Sequence, residues 1–386
     1  MQSPTRQLPF LTISRGIAAL WVLAHNDQLF RFVTEVDSLT GLFTKGYLAV
    51  DYFLLLSGFI LTYAHRESFT DSPKLRTLVD FVIARLARIY PLYIALLGIR
   101  VAIELLKYLA GVPATQYGPA PFQDGNSLSA LLANVLMIQA WGFYEELTWV
   151  PSFWTVSAEW FAYLLFPFLL WCCARYIKRS AVALLTAVGL FAVLVVGIRS
   201  NGDLEFSMQF ALVRCLPEFG LGIILGLHFE KWLNRLSTAT MWTILTASVA
   251  GGLAVAHLQL HDVLFVLLAC IAIPLAALCS YPKEELEPTS TKNRTFVSVI
   301  SAGLRYLGEI SYAVYLLHLI VQSAYRLVES RLVESRLISD PTPTIALAAF
   351  VFKLLVILAG ASLLHHFLEI PARRYIRGLR RPRIAS

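Results

Sequence analysis

Charged side chains are scarce in this chain. Asp, Glu, Lys and Arg together make up 15% of its 386 residues, where a soluble domain carries about 25%. That scarcity argues against a protein solvated on every face, and a mean hydropathy of +0.65 agrees. Strand-length alternation of apolar and polar residues is also lacking, so an outer-membrane barrel is a poor fit. The five cysteines (172, 173, 215, 270 and 279) show no CxxC spacing, which points away from a metal site or a disulfide framework. They read as small buried hydrophobes. The GxSxG elbow of one large class of serine hydrolases is missing. No repeat relates the two halves of the chain, as the halves of many secondary transporters are related.

Long apolar runs occupy the sequence instead. Runs of about 18 residues or more recur, each able to cross roughly 30 Å of hydrocarbon as a helix. They place spans near 9–30, 44–64, 89–110, 154–174, 181–198, 209–229, 240–257, 262–280, 307–325 and 343–366. The first run follows the polar start MQSPTRQ and ends in no small-residue cleavage site, so it reads as a retained span. With the N-terminus inside, the inner segments hold twenty-one Lys and Arg residues against seven in the outer loops. This bias follows the positive-inside rule and accounts for the net charge of +7 without a nucleic-acid partner. The expected fold is all-α: a polytopic bundle of about ten transmembrane helices with both termini cytoplasmic. It forms one domain over 1–386, with a short basic tail at 371–386, in the cytoplasmic membrane. The apolar stretch 128–144 is short and reads as interfacial or re-entrant. The repeat RLVESRLVESR at 326–336 reads as an interfacial helix, and KEELEPTSTKNR at 283–294 as a solvated cytoplasmic loop.

Ionisable groups inside such spans carry the functional signal. A charge at mid-membrane costs about 2.5–3.5 kcal/mol on insertion scales, and such residues usually face the bundle interior. The spans contain His25 and Asp27, Asp51, Arg100 and Glu104, Glu159, and His318. By the topology above, His25, Asp51 and Glu159 share the outer half of the membrane, with His318 near its middle. Arg100 and Glu104, like Arg214 and Glu218, are spaced i, i+4 and neutralise one another on one helix face. Lys353 snorkels from a span end. His25 stands apart, since Asn26 and Asp27 adjoin it and two carboxylates lie at similar depth.

The strings around these residues are SRGIAALWVLAH (14–25), YLAVDYFLLLSGFILTY (47–63), RLARIYPLY (85–93), PSFWTVSAEWFAYLLFP (151–167), LGEISYAVYLLH (307–318) and HHFLEIPARR (365–374). In this order, on these spans, the chain resembles the acyltransferase-3 family of membrane O-acyltransferases. Members of that family acylate polysaccharides, lipopolysaccharide O-antigens, macrolides and related glycans. The resemblance implies His25 as the catalytic base, with Asp51 and Glu159 as its acidic positions. It implies Arg15, Arg85 and Arg88 on the donor, an acyl-CoA and most simply acetyl-CoA, and no metal. His318 closes the YLLH string. Trp154 and Ser157, with Ser57, are candidates to donate to the oxyanion, and Trp154, Ser157 and His318 are assigned to substrate binding. The implied partners are the bilayer, acyl-CoA, and a glycan, glycolipid or macrolide acceptor.

The chemistry fits these residue types. Acyl transfer from a thioester to a hydroxyl needs a base, and an imidazole with its ordinary pKa near neutrality suits the task. A carboxylate on the other ring nitrogen would fix the tautomer and stabilise the imidazolium; Asp51 and Glu159 both remain candidates. Arg85 and Arg88, at i and i+3, can grip phosphate together. Arg15 lies ten residues before His25, about 15 Å along a helix, a gap that the pantetheine arm of CoA can span. Only nine residues separate Arg15 from His25, where the family has ten. The two side chains are then about 80° apart around a regular helix instead of about 20°, unless a π-bulge realigns them. A transporter or flippase of a lipid-linked or sugar-like solute is the alternative that shares the spans and the buried charges. It has no use for acyl-CoA.

Overall fold

The computed structural model describes residues 8–70, 74–111, 120–177, 180–233, 236–280, 291–334 and 342–378. Arg6, most of the loop at 283–294 and the end of the basic tail lie outside the described residues. The described residues form helices and connecting turns, with no strand. In order, the helices are α1 (Pro9–Asn26), α2 (Gln28–Thr34), α3 (Val36–Leu39), α4 (Leu48–Phe69), α5 (Leu75–Leu109), α6 (Leu128–Val135) and α7 (Phe153–Tyr176). They continue as α8 (Ser180–Asn201), α9 (Ala211–Leu233), α10 (Thr238–His257), α11 (Asp262–Cys279), α12 (Thr291–Glu334), α13 (Pro343–Leu364) and α14 (Ile370–Gly378).

Among the described residues, nine helices are long and apolar enough to cross a membrane. The chain is thus an all-α, polytopic membrane protein. The first helix, α1, is not one of the nine. Its 18 residues reach about 27 Å, but Ser14, Arg15, His25 and Asn26 lower its mean hydropathy. Helix α6 is 8 residues long, about 12 Å, and cannot cross the hydrocarbon. This agrees with reading 128–144 as something other than a span. Two expectations change. The repeat at 326–336 begins as an unbroken continuation of α12 through Glu334, not as a separate interfacial helix; residues 335 and 336 lie outside the described residues. The π-helical turn in the described chain falls at His365–Glu369, while α1 is regular α-helix throughout.

The helices gather into two compact units, each drawn from three separated stretches of sequence. The first comprises 1–71, 168–205 and 216–312; the second comprises 72–167, 206–215 and 313–386. In the first unit α1 packs on α4 and α11, and α10 and α11 pair along their length. Glycine sets two of its closest approaches. A Cβ on Gly16 of α1 would lie 2.8 Å from the Gly308 nitrogen, and one on Gly308 would overlap the Thr12 carbonyl. A Cβ on Gly222 of α9 would lie 2.8 Å from the Phe59 nitrogen of α4. Small residues at such crossings let backbones meet where lipid supplies no hydrophobic drive for helix association. In the second unit α5 packs against α14 and the π-helical turn. There the buried Glu369 meets His365 Nδ1 at 2.8 Å and also pairs with Arg373.

Candidate active site

Asp27 explains why His25 sits at the end of a helix. The Asp27 side chain accepts from Phe30 N at 3.1 Å, capping α2 and closing α1 just after Asn26. An N-cap of this kind satisfies an otherwise orphan amide. Arg31 Nη1 in turn donates to the His25 carbonyl at 2.9 Å, one of the last carbonyls of α1. Asp27 is therefore occupied in helix capping.

The segment 43–47 wraps the imidazole. His25 Nδ1 lies 2.8 Å from the Phe43 carbonyl. Gly46 is pressed so closely on His25 Cβ that any side chain there would overlap it. The Tyr47 ring meets the imidazole edge-on, with centroids 5.7 Å apart and planes at 72°. On the far side, Glu205 Oε1 stands 3.2 Å from His25 Nε2. His25 is 8% exposed, whereas the Glu205 side chain is 53% exposed. A carbonyl can only accept, so the contact at Phe43 assigns a proton to Nδ1 and leaves Nε2 to carry the lone pair when the ring is neutral. When Nε2 takes a proton, the Glu205 carboxylate is already in place beside the charge.

The acidic partner of His25 therefore differs from the sequence expectation. Neither Asp51 nor Glu159 was placed on the ring's second nitrogen: the tautomer is held by a backbone carbonyl, and the carboxylate is Glu205. Asp51 is buried on α4 at 1% exposure, one turn beyond Tyr47. Glu205 lies in the turn NGDLEF between α8 and α9, where its amide donates to Asp203 Oδ1 at 2.9 Å. Its exposure leaves no mark in the sequence, because an acid in a solvated turn carries no penalty. Arg15 also takes its own direction. With no π-bulge in α1, the angular offset from His25 persists, and Arg15 Nη2 donates to Ser311 Oγ at 3.2 Å.

The remaining candidates belong to the second unit. Thr155, Glu159 and Tyr163 fall at i, i+4 and i+8, one face of α7. Tyr163 donates to Glu159 Oε1 at 2.5 Å, and its hydroxyl lies in the electrostatic field of both Arg85 and Arg88. Thr155 Oγ1 donates to the Tyr315 hydroxyl at 2.8 Å, and the Tyr315 ring lies 5.5 Å from that of His318. His318 Nδ1 is bonded to the Tyr315 carbonyl. The Trp154 ring carries the Arg214 guanidinium, 5.5 Å from its centroid. The structure thus brings Glu159, Arg85 and Arg88 around one phenol. Arg85 and Arg88 are both half-buried.

Ser157 is engaged by the chain itself. It is fully buried, its hydroxyl donates to the Met137 carbonyl at 2.9 Å and accepts from Ala140 N at 3.1 Å. Trp141 Nε1 donates to the Ser157 carbonyl at 3.0 Å. These bonds pin the segment after α6 onto α7.

Comparison with known proteins places this geometry in a family. Residues 8–366 match the acyltransferase-3 model, described as an acyltransferase domain. The chain is 29% identical over 399 residues to "Acyltransferase MdmB" of Streptomyces mycarofaciens, covering 97% of this chain and 94% of that protein. It is 34% identical over 167 residues to "Protein 2 in picA locus" of Rhizobium radiobacter, covering 38% of this chain and 80% of that protein. No solved structure gives a significant match.

Proposed function

The chain belongs to the acyltransferase-3 family, and from that premise we propose that it moves an acyl group from cytosolic acyl-CoA to a hydroxyl of a glycan or glycosylated acceptor, with His25 as general base. Acetyl-CoA is the simplest donor and the cytoplasmic membrane the expected site. The observation that carries this reading is the imidazole itself. It is a buried ring whose Nδ1 faces the Phe43 carbonyl and whose Nε2 faces a half-exposed carboxylate.

The steps follow from that geometry. With Nδ1–H donating to Phe43, the Nε2 lone pair takes the proton of the acceptor hydroxyl as its oxygen attacks the thioester carbonyl. Glu205 stabilises the imidazolium so formed by its charge, while the Phe43 carbonyl on Nδ1 orients the ring, the place an aspartate holds in a Ser-His-Asp triad. Collapse of the tetrahedral intermediate breaks the C–S bond, and the proton on Nε2 passes to the departing CoA sulfur. Arg85 and Arg88, beside Tyr163 and Glu159, are assigned to the CoA phosphates, for which forked guanidiniums are suited. Arg15, about 15 Å from His25 along α1, is assigned to the same donor. Trp154 and His318 are assigned to the acceptor side.

Mass spectrometry of the envelope glycans with and without His25→Ala tests this reading. Loss of an acetyl increment from a defined glycan is the expected result and would identify the acceptor. Transfer of label from [14C]acetyl-CoA at the wild-type rate by His25→Ala membranes would remove the imidazole from the mechanism.

A further inference from the structure

Two short segments touch the His25 ring, and one buried residue ties them together. The first segment, Phe43 to Tyr47, supplies the carbonyl on Nδ1 and the ring packed on the imidazole edge. The second is Leu204–Glu205, which presents the carboxylate to Nε2. Asp262, the first residue of α11, is 2% exposed. Its Oδ1 accepts from Lys45 Nζ at 2.6 Å, and its Oδ2 accepts from the Tyr47 hydroxyl at 2.9 Å and from Leu204 N at 2.8 Å. Lys45 Nζ also donates to the Tyr47 hydroxyl at 2.9 Å. One carboxylate therefore receives three donors, two from the segment holding Nδ1 and one from the residue before Glu205.

We propose that Asp262 is a positioning residue that clamps these two segments and so sets the distance between His25 and Glu205. The inference rests on the reading of His25 as the base. It adds a group that never meets the substrate. The clamp explains how a half-exposed Glu205 side chain is held on a buried ring: the backbone beside it is fixed, and the side chain needs only to span the last bonds. An amide is a poor replacement for the acid at this position. All three partners are donors, and asparagine would offer one acceptor oxygen while turning an N–H pair toward the others. The Lys45 ammonium would be left without its counter-ion in a buried site, an arrangement far costlier than losing both partners together.

Membrane vesicles holding the full-length protein, with [14C]acetyl-CoA and the endogenous acceptor, provide the test. Asp262→Asn is expected to lower kcat about tenfold or more while KM for acetyl-CoA stays within about twofold, the pattern of an interaction made in the transition state. In a Glu205→Gln background the same change should lower kcat less than about threefold, because residues acting through one group are not additive. Tyr47→Phe removes one of the three donors and leaves the ion pair intact. It should lower kcat a few-fold in the wild type and leave the Glu205→Gln enzyme unchanged, and it serves if Asp262→Asn does not fold. Unchanged kcat in both variants, or an equal fold-loss with and without Glu205, overturns the clamp. If His25→Ala abolishes transfer while both variants retain it, the clamp alone is wrong. If His25→Ala retains transfer, the base and the clamp fall together.

Discussion

Replacing Glu205 by glutamine keeps the side chain's shape and an acceptor oxygen but removes its charge, so it isolates the electrostatic contribution to catalysis. The contact is 3.2 Å. Unit charges at that distance attract by about 1.3 kcal/mol in bulk water and about 5 kcal/mol at an effective dielectric of 20. The Glu205 side chain is 53% exposed, which moves the value toward the watery end, to about 1.5–2.5 kcal/mol. That attraction acts on the imidazolium and not on the neutral ring, so it enters the barrier and not the binding of substrate. It corresponds to a fall in kcat of about 10- to 70-fold with KM for acetyl-CoA unchanged. The assay is label transfer from [14C]acetyl-CoA in membrane vesicles at saturating donor, with protein quantified by immunoblot. Glu205→Ala should behave like the glutamine variant. A kcat within twofold of wild type for both would show that the carboxylate does not stabilise the charge on His25. The mechanism would then have to find its counter-ion elsewhere.

Other substitutions separate binding from architecture. Arg85→Ala and Arg88→Ala should each weaken acetyl-CoA binding about tenfold or more, consistent with charge-assisted hydrogen bonds worth about 1.5–3 kcal/mol; isothermal titration on protein in detergent checks this, and unchanged affinity removes the phosphate grip. Ser157→Ala should lower stability by about 1–3 kcal/mol, since the Met137 carbonyl and the Ala140 amide lose their partner, and should leave KM unaltered. A large rise in KM without a change in melting temperature would return Ser157 to the substrate. Gly308→Ala should destabilise by about 1–3 kcal/mol through overpacking, because its methyl group would meet the backbone of α1 and not a flexible side chain. Thermal unfolding followed by tryptophan fluorescence reads this, and an unshifted midpoint would mean that α1 and α12 can separate freely.

The membrane character of the fold was legible because a bilayer imposes a single demand on sequence, namely apolar length. The same demand identified the stretch 128–144 as too short, and α6 with its 8 residues agrees. His25 was conspicuous for a related reason: a polar ring inside an apolar run is costly to insert. The partners of that ring were not. Phe43 contributes only a carbonyl, which every residue has. Glu205 sits in a connecting turn where acids carry no penalty. Asp262 opens α11 at the edge of a span, where an acid passes for an ordinary helix start. Only the folded backbone brings 43–47, 204–205 and 262 around residue 25. The neighbours of Ser157 were equally hidden: its hydroxyl donates to the Met137 carbonyl and accepts from the Ala140 amide, contacts that no spacing in the sequence announces. The Arg15–His25 spacing could be realigned only by a π-bulge in α1; α1 is regular, and the π-helical turn in the described chain lies at His365–Glu369.

The regular geometry of α1 has a consequence for how the molecule can move. Arg15 and His25 engage different neighbours on different sides of one cylinder: a serine of α12 for the first, a carbonyl and a carboxylate for the second. Turning that cylinder to improve either grip would loosen the other. The helix is therefore a post held against rotation at two levels, and the direction in which the His25 ring faces is fixed from both ends.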